Sequence, residues 1–320
     1  MSDAAGPPPG RSKRHAPSKA EFDANVANIE AQMRATNEKI NARTGRNLFV
    51  AILVGLALGA ALLSSLIIVK ELFMILAVAL IAVTAFELAS ALRSAGRDVP
   101  RIPIVIAVVG IVPLAFYEVI GGSRDTGHWL GTLGGIVLVT VWRLLELVDP
   151  KRRASVQDVL KDLMGGVLVM VYVVFLGTYT VVMTAQPHGE YWTLAFLIIV
   201  VSTDTGAYAS GLLFGKHKMA PSISPGKTWE GFAGSVVFAL IAGILLALLM
   251  LNQPWWVGAI LAVTMVLTAT GGDLAESLIK RDLGVKDIST WLPGHGGLLD
   301  RLDSTLLSAA AAYALFLIFT

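Results

Sequence analysis

Apolar runs of about 20 residues recur along this chain, near 48–69, 72–92, 102–120, 128–148, 164–184, 191–213, 230–251, 255–279 and 304–320. A helix of that length rises about 30 Å and so matches the hydrocarbon core of a bilayer. Within lipid no water is present to satisfy backbone N–H and C=O groups, and a helix closes those bonds internally. The chain is therefore expected to be an all-α, polytopic integral membrane bundle of about nine transmembrane helices. Composition agrees: 55% of residues are hydrophobic and 15% charged, against roughly 25% charged in soluble domains. There are no cysteines, which excludes a disulfide framework, a thiolate metal site and a cysteine nucleophile.

The distribution of charge orients the bundle. Connections at 70–71, 121–127, 185–190 and 251–254 are short, whereas those at 93–101, 149–163, 215–229 and 280–303 are longer and basic. Together with the N-terminal tail, the longer set holds 22 of the 25 Lys and Arg residues; Lys70, Arg124 and Arg143 are the others. By the positive-inside rule the N-terminus and the long loops are cytoplasmic and Thr320 is outside, the expected location being the cell membrane. Residues 1–46 form a polar tail, with a Pro/Gly/basic stretch at Ala5–Ala16 and a weakly amphipathic helical segment at Ala20–Arg43. It reads as a solvated arm near an anionic leaflet, and no cleavable signal peptide is expected. Residues 47–320 are expected to form a transmembrane catalytic domain.

The chemistry concentrates at the basic end. Ser277–Asp303 (SLIKRDLGVKDISTWLPGHGGLLDRLD) packs four acids, four bases, one histidine and four glycines into 27 residues. In so apolar a chain such a cluster calls for water, a metal ion or a phosphorylated ligand. Asp273, Glu276, Ser277 and Lys280 follow i, i+3, i+4, i+7 spacing and share one helix face. Asp273, preceded by two glycines, is a candidate metal ligand, while Glu276 and Lys280 equally suit a pair closing the helix end. Asp300, Asp303 and Ser304 recur at i, i+3, i+4, and two acids bracketing Arg301 suit oxygen ligation of a divalent cation. Gly294, Gly296 and Gly297 expose backbone amides that could cradle an anion; His295 among them reads as a turn residue contacting backbone or phosphate.

Two upstream segments carry further polar groups. Gly215–Gly231 (GKHKMAPSISPGKTWEG) contains Gly-Lys-Thr, but Pro221 occupies the position where a P-loop needs glycine, and a membrane span precedes it rather than a buried strand. What remains is a phosphate-suited loop with Ser222, Ser224, Lys227 and Thr228 as donors. Asp204 lies inside the sixth run with Tyr208 one turn on, and an intramembrane acid is a functional-site hypothesis by default. Glu87, Glu118, Arg143 and Glu146 are expected only to pair between helices or snorkel.

These residues resemble the phosphatidate cytidylyltransferase family. The signature S-x-x-K-R, four residues, K-D, five residues, P-x-H-G-G-x-x-D-R-x-D is matched by Ser277, Lys280, Arg281, Lys286, Asp287, Pro293, His295, Gly296, Gly297, Asp300, Arg301 and Asp303. DTGAY (Asp204–Tyr208) and SPGKTWEG (Ser224–Gly231) resemble its accompanying motifs, in the same order, and the likeness runs over about residues 45–320. Gly226 stands where the family often has a second lysine. The resemblance implies transfer of the cytidylyl group of CTP to phosphatidate, giving CDP-diacylglycerol and pyrophosphate with a divalent metal, Mg2+, held by Asp273 and Asp300. By the same resemblance Ser277, Lys280, Arg281, Asp287, Arg301 and Asp303 lie in the catalytic pocket, and Asp204, Ser224, Lys227, Thr228, Lys286, His295, Gly296 and Gly297 bind substrate. An assisting monovalent cation and a homodimer remain open; nucleic acid is not expected as a partner.

The residue types suit such a reaction independently. A phosphate monoester is already anionic at neutral pH, so bringing two polyanions together is the difficulty, and cations and alignment are the remedy. Two alternatives stand beside it: a CTP-dependent lipid kinase of the polyprenol or phytol type, which would release CDP, and an ion-coupled transporter suggested by Asp204. A transporter should carry polar residues near the midplane of several spans, whereas here they gather at one end.

Overall fold

A computed structural model describes residues 59–285, 288–289 and 297–320, all within the unit Gly55–Thr320. The polar tail, its boundary with the membrane domain, half of the first apolar run, and Lys286, Asp287, Pro293, Gly294, His295 and Gly296 lie outside the described residues.

Each apolar run in the described chain forms a helix: α1 Gly59–Ile68, α2 Lys70–Ser94, α3 Arg101–Ile120, α4 Thr126–Glu146, α5 Val156–Ala185, α6 Gly189–Phe214, α7 Trp229–Leu249, α8 Trp255–Leu283 and α9 Leu299–Phe319. Among the described residues, the eight from α2 to α9 are long and apolar enough to cross a membrane. The protein is thus an all-α multi-pass bundle. Its only departure in the described residues is a small antiparallel hairpin, β1 Lys218–Ala220 and β2 Ser224–Thr228, paired Lys218 to Thr228 and Ala220 to Ser224.

Two expectations are corrected at the basic end. Residues 156–163, read from sequence as loop, are the first turns of α5, where the Ser155 side chain accepts the Asp158 N–H as an N-cap. Their polarity has a structural cause. Asp162 is buried and receives the Arg143 guanidinium of α4 through Nε at 3.0 Å and a terminal nitrogen at 2.7 Å, while its other oxygen accepts the Asp98 N–H. Arg143, 2% exposed, is therefore paired between helices as expected. The 280–303 connection is also shorter than it looks in sequence, because α8 continues to Leu283 and α9 begins at Leu299.

The helix ends set the site's geometry. Gly284 takes φ 69, and its N–H and that of Val285 return to the carbonyls of Arg281 and Lys280. That is a Schellman ending, for which glycine carries no Cβ penalty. It stops α8 just beyond Lys280-Arg281. In the middle of α5, Met170–Phe175 widens into a π-helical turn, a feature often found near functional sites.

Small residues allow close packing where lipid supplies no hydrophobic drive between helices. A Cβ on Gly243 of α7 would meet the Gly258 carbonyl of α8 at 2.5 Å, and one on Gly272 of α8 would strike the Asp303 carbonyl of α9. Helices α6, α7, α8 and α9 thus pack as one group, with α9 also lying against α5.

Candidate active site

At the basic end, α6, the hairpin, α7, α8 and α9 enclose a cavity of about 570 Å3. Its polar wall is built by Asp204 from α6, Lys227 and Thr228 from β2, Asp273 from α8, and Asp300, Arg301, Asp303 and Ser304 from α9. Its apolar wall includes Tyr208, Leu212, Met219 and Phe232. Residues separated by as much as 100 positions in sequence are thereby brought to one space, with carboxylates, cations and hydroxyls on the same side.

Ion pairs order this wall. Lys227 Nζ lies 2.6 Å from Asp273, and Lys280 Nζ lies 2.7 Å from Glu276 and 3.1 Å from Asp300. One ammonium therefore binds two carboxylates, one on each of the two helices, and locks α8 to α9. Ser277 Oγ donates to Asp273 at 3.4 Å, one turn away as the helical spacing predicts. Asp303 accepts the Ser304 N–H at 2.7 Å. Both Asp303 and Glu276 are buried, and such charges persist in an apolar bundle only when paired or hydrogen-bonded.

The hairpin is fastened at both ends. Thr228 Oγ1 caps α7 by accepting the Gly231 N–H at 3.1 Å. Glu230 accepts the N–H groups of Lys216 and His217 and pairs with the His217 ring at 2.6 Å. Arg281 Nε donates to the Ile223 carbonyl at 3.3 Å, tying the hairpin turn to the end of α8.

The site residues read from sequence thus divide into groups. Asp204, Lys227, Thr228, Asp273, Asp300, Arg301 and Asp303 line the cavity. Ser277 and Lys280 stand behind that wall, oriented toward Asp273 and Asp300. Arg281 holds the hairpin instead of lining the cavity, and Ser224, expected in the substrate groove, is paired with Ala220 at the start of β2, outside the lining set. Gly297 donates its N–H to Asp300 at 2.9 Å, so this amide serves the carboxylate.

Three residues outside the expected site support the wall. Glu276 shares Lys280 with Asp300. Tyr172, on the π-helical turn, donates its hydroxyl to the Gly272 carbonyl at 3.3 Å, immediately before Asp273. Glu87 of α2 makes a link between helices, as expected, and makes it to backbone: it accepts N–H groups at the start of α9. The one local sequence signal was an acid in the apolar run AFELAS.

Among the described residues no group of three or more His, Asp or Glu side chains is arranged to hold a metal ion. Oxygen donors nevertheless dominate the wall, and Mg2+ is commonly bound by one or two carboxylates with phosphate oxygens and water completing its shell. Asp273 and Asp300, on facing helices and held by lysines, fit that mode; a cage made by protein alone does not.

Residues 49–319 match the model of the cytidylyltransferase family. The phosphatidate cytidylyltransferase of Mycobacterium leprae is 37% identical over 303 residues, covering 92% of this chain and 95% of that protein. The protein of the same name from Mycobacterium tuberculosis is 38% identical over 277 residues, 85% of this chain and 83% of the relative. That from Staphylococcus saprophyticus is 36% identical over 208 residues, 63% and 75% of the two chains.

Proposed function

The chain belongs to the cytidylyltransferase family, and on that premise we propose that it transfers the cytidylyl group of CTP to phosphatidate, producing CDP-diacylglycerol and pyrophosphate. The observation that carries the reading is the single cavity in which Lys227, Thr228 and Arg301 face the carboxylates of Asp204, Asp273, Asp300 and Asp303. Relatives spanning most of the chain and named for this reaction support it.

An oxygen of the lipid phosphate monoester attacks the α-phosphorus of CTP. The bond from that phosphorus to the bridging β-phosphate oxygen breaks, and pyrophosphate leaves carrying the oxygen. The nucleophile needs no base, so the protein's task is to overcome repulsion and hold the groups in line. Lys227 is poised to change partners, leaving Asp273 for a phosphate oxygen as substrate enters, and Arg301 offers a planar donor set from the facing helix. The Thr228 hydroxyl accepts from Gly231, leaving its proton for a phosphate oxygen. Asp273 and Asp300 would hold Mg2+, which supplies neutralisation of phosphate charge. The apolar wall at Tyr208, Leu212 and Phe232 suits the acyl-bearing substrate, whose chains stay in the bilayer. By the positive-inside rule the site faces the cytoplasm of a cell membrane.

The test is purified protein with CTP labelled at the α-phosphorus, phosphatidate vesicles and Mg2+. Labelled CDP-lipid with equimolar pyrophosphate is the expected result. Release of CDP with a phosphorylated lipid would assign a kinase instead, and no product from folded protein would overturn the proposal.

A further inference from the structure

The N-terminus of α9 carries Asp300, Arg301 and Asp303, so whatever fixes that terminus fixes half of the polar wall. Leu298, at the N-cap position, has no side chain able to cap. Asp300 covers only the Gly297 N–H. The next two orphan donors, Leu298 N and Leu299 N, point to one oxygen of Glu87, at 2.8 and 3.0 Å. The other Glu87 oxygen accepts the Ser289 hydroxyl at 2.5 Å. Glu87 comes from the last third of α2, more than 200 residues earlier, and is 2% exposed. Ser289 and Gly297 belong to the connection between α8 and α9, and a Cβ on Gly297 would meet Asp300, Ser289 and Glu87 at 3.1, 3.2 and 3.3 Å. Four groups from three parts of the chain therefore converge on one point directly behind Asp300.

Among the described residues Glu87 forms no ion pair with Lys or Arg, so its charge is compensated by these donors and by the positive end of the α9 dipole. A buried carboxylate so placed is a costly way merely to pack α2, since an apolar side chain of similar volume would do so without desolvation. What the carboxylate adds is direction. Its two oxygens fix the connection on one side and the first turn of α9 on the other, and reaction geometry is sensitive to shifts of about 1 Å.

We propose that Glu87 is a positioning residue for the transfer reaction, acting through α9 to set Asp300, Arg301 and Asp303 against Asp273 and Lys227. The inference rests on the cytidylyl-transfer reading for its kinetic arm, while its structural arm stands apart from that reading. The experiment compares wild type, Glu87→Gln and Ser289→Ala in nanodiscs by steady-state kinetics and by amide hydrogen exchange over 297–303. Gln supplies one acceptor oxygen where Glu supplies two, so Glu87→Gln should lower kcat at least tenfold with KM for CTP within about threefold. Exchange over 297–303 should accelerate, while exchange over α7 remains unchanged. Ser289→Ala, which keeps the carboxylate, should lower kcat two- to fivefold with a smaller exchange effect, and it carries the test if Glu87→Gln does not fold. Wild-type kcat, or unchanged exchange over 297–303, in a folded variant overturns the proposal. A wild-type protein without transferase activity but with accelerated exchange in the variants would remove the assigned reaction while retaining Glu87 as the anchor of α9.

Discussion

Replacing Gly272 by alanine tests whether the spacing of α8 and α9 governs the reaction. The new Cβ would strike the Asp303 carbonyl oxygen and lie 3.2 Å from its carbon and 3.4 Å from Ser304 Cα. All three are backbone atoms of α9, so no rotamer change relieves the clash. An ordinary carbon-to-carbonyl contact needs about 3.3 Å or more, which requires the helices to part by roughly 1 Å at the level of Asp273 and Asp303. Overpacking of this kind costs about 1–3 kcal/mol of stability, and a displacement near 1 Å in a reacting geometry costs about 10²-fold in rate, equivalent to about 2.7 kcal/mol. Initial rates at saturating CTP and phosphatidate measure the second effect, and thermal denaturation in detergent measures the first. Gly134→Ala in α4, where a Cβ meets nothing within 4 Å, is the control and should retain wild-type behaviour. A Gly272→Ala rate within twofold of wild type would refute the claim that this crossing sets the site.

The other predictions follow from the wall and its supports. Asp273→Asn and Asp300→Asn should each lower kcat by about 10²-fold or more, since each removes a ligand charge; near-normal turnover removes that residue from the metal-binding role. Chelation by EDTA should abolish labelled product, and added Mg2+ should restore it. Tyr172→Phe loses the bond to the Gly272 carbonyl, worth about 1 kcal/mol, and should slow turnover up to about fivefold with the fold intact by circular dichroism. Arg143→Met leaves Asp162 buried without its partner and should destabilise by about 3–5 kcal/mol; pairing it with Asp162→Leu should recover part of the lost melting temperature.

The helical bundle was legible because hydropathy acts over whole segments. Spacing also told truly where contacts are local: Ser277 bonds Asp273 and Lys280 pairs with Glu276, each one turn apart. Polar helix ends were less readable. Asp158, Lys161 and Asp162 made the start of α5 look like loop, since the buried Arg143 that explains Asp162 lies on another helix. The hairpin was missed because Ser224–Thr228 is rich in turn-forming residues and is stabilised by Glu230 and Arg281 from neighbouring helices. Glu87 was illegible for the same reason in a stronger form: its partners are 202 to 212 residues away, and no local period records them.

The fastening of the hairpin bears on how this region tolerates change. Surface loops ordinarily accept insertions because few contacts depend on their length. Here the stretch from Lys216 to Ile223 is pinned by Glu230 at its start and by Arg281 at its tip, with Thr228 already committed to α7. Its length is therefore metered, much as a strap is between two buckles. One added residue would have to loosen a buckle or shift Lys227 along the cavity wall, so this exposed segment should be among the least permissive places in the protein for insertion.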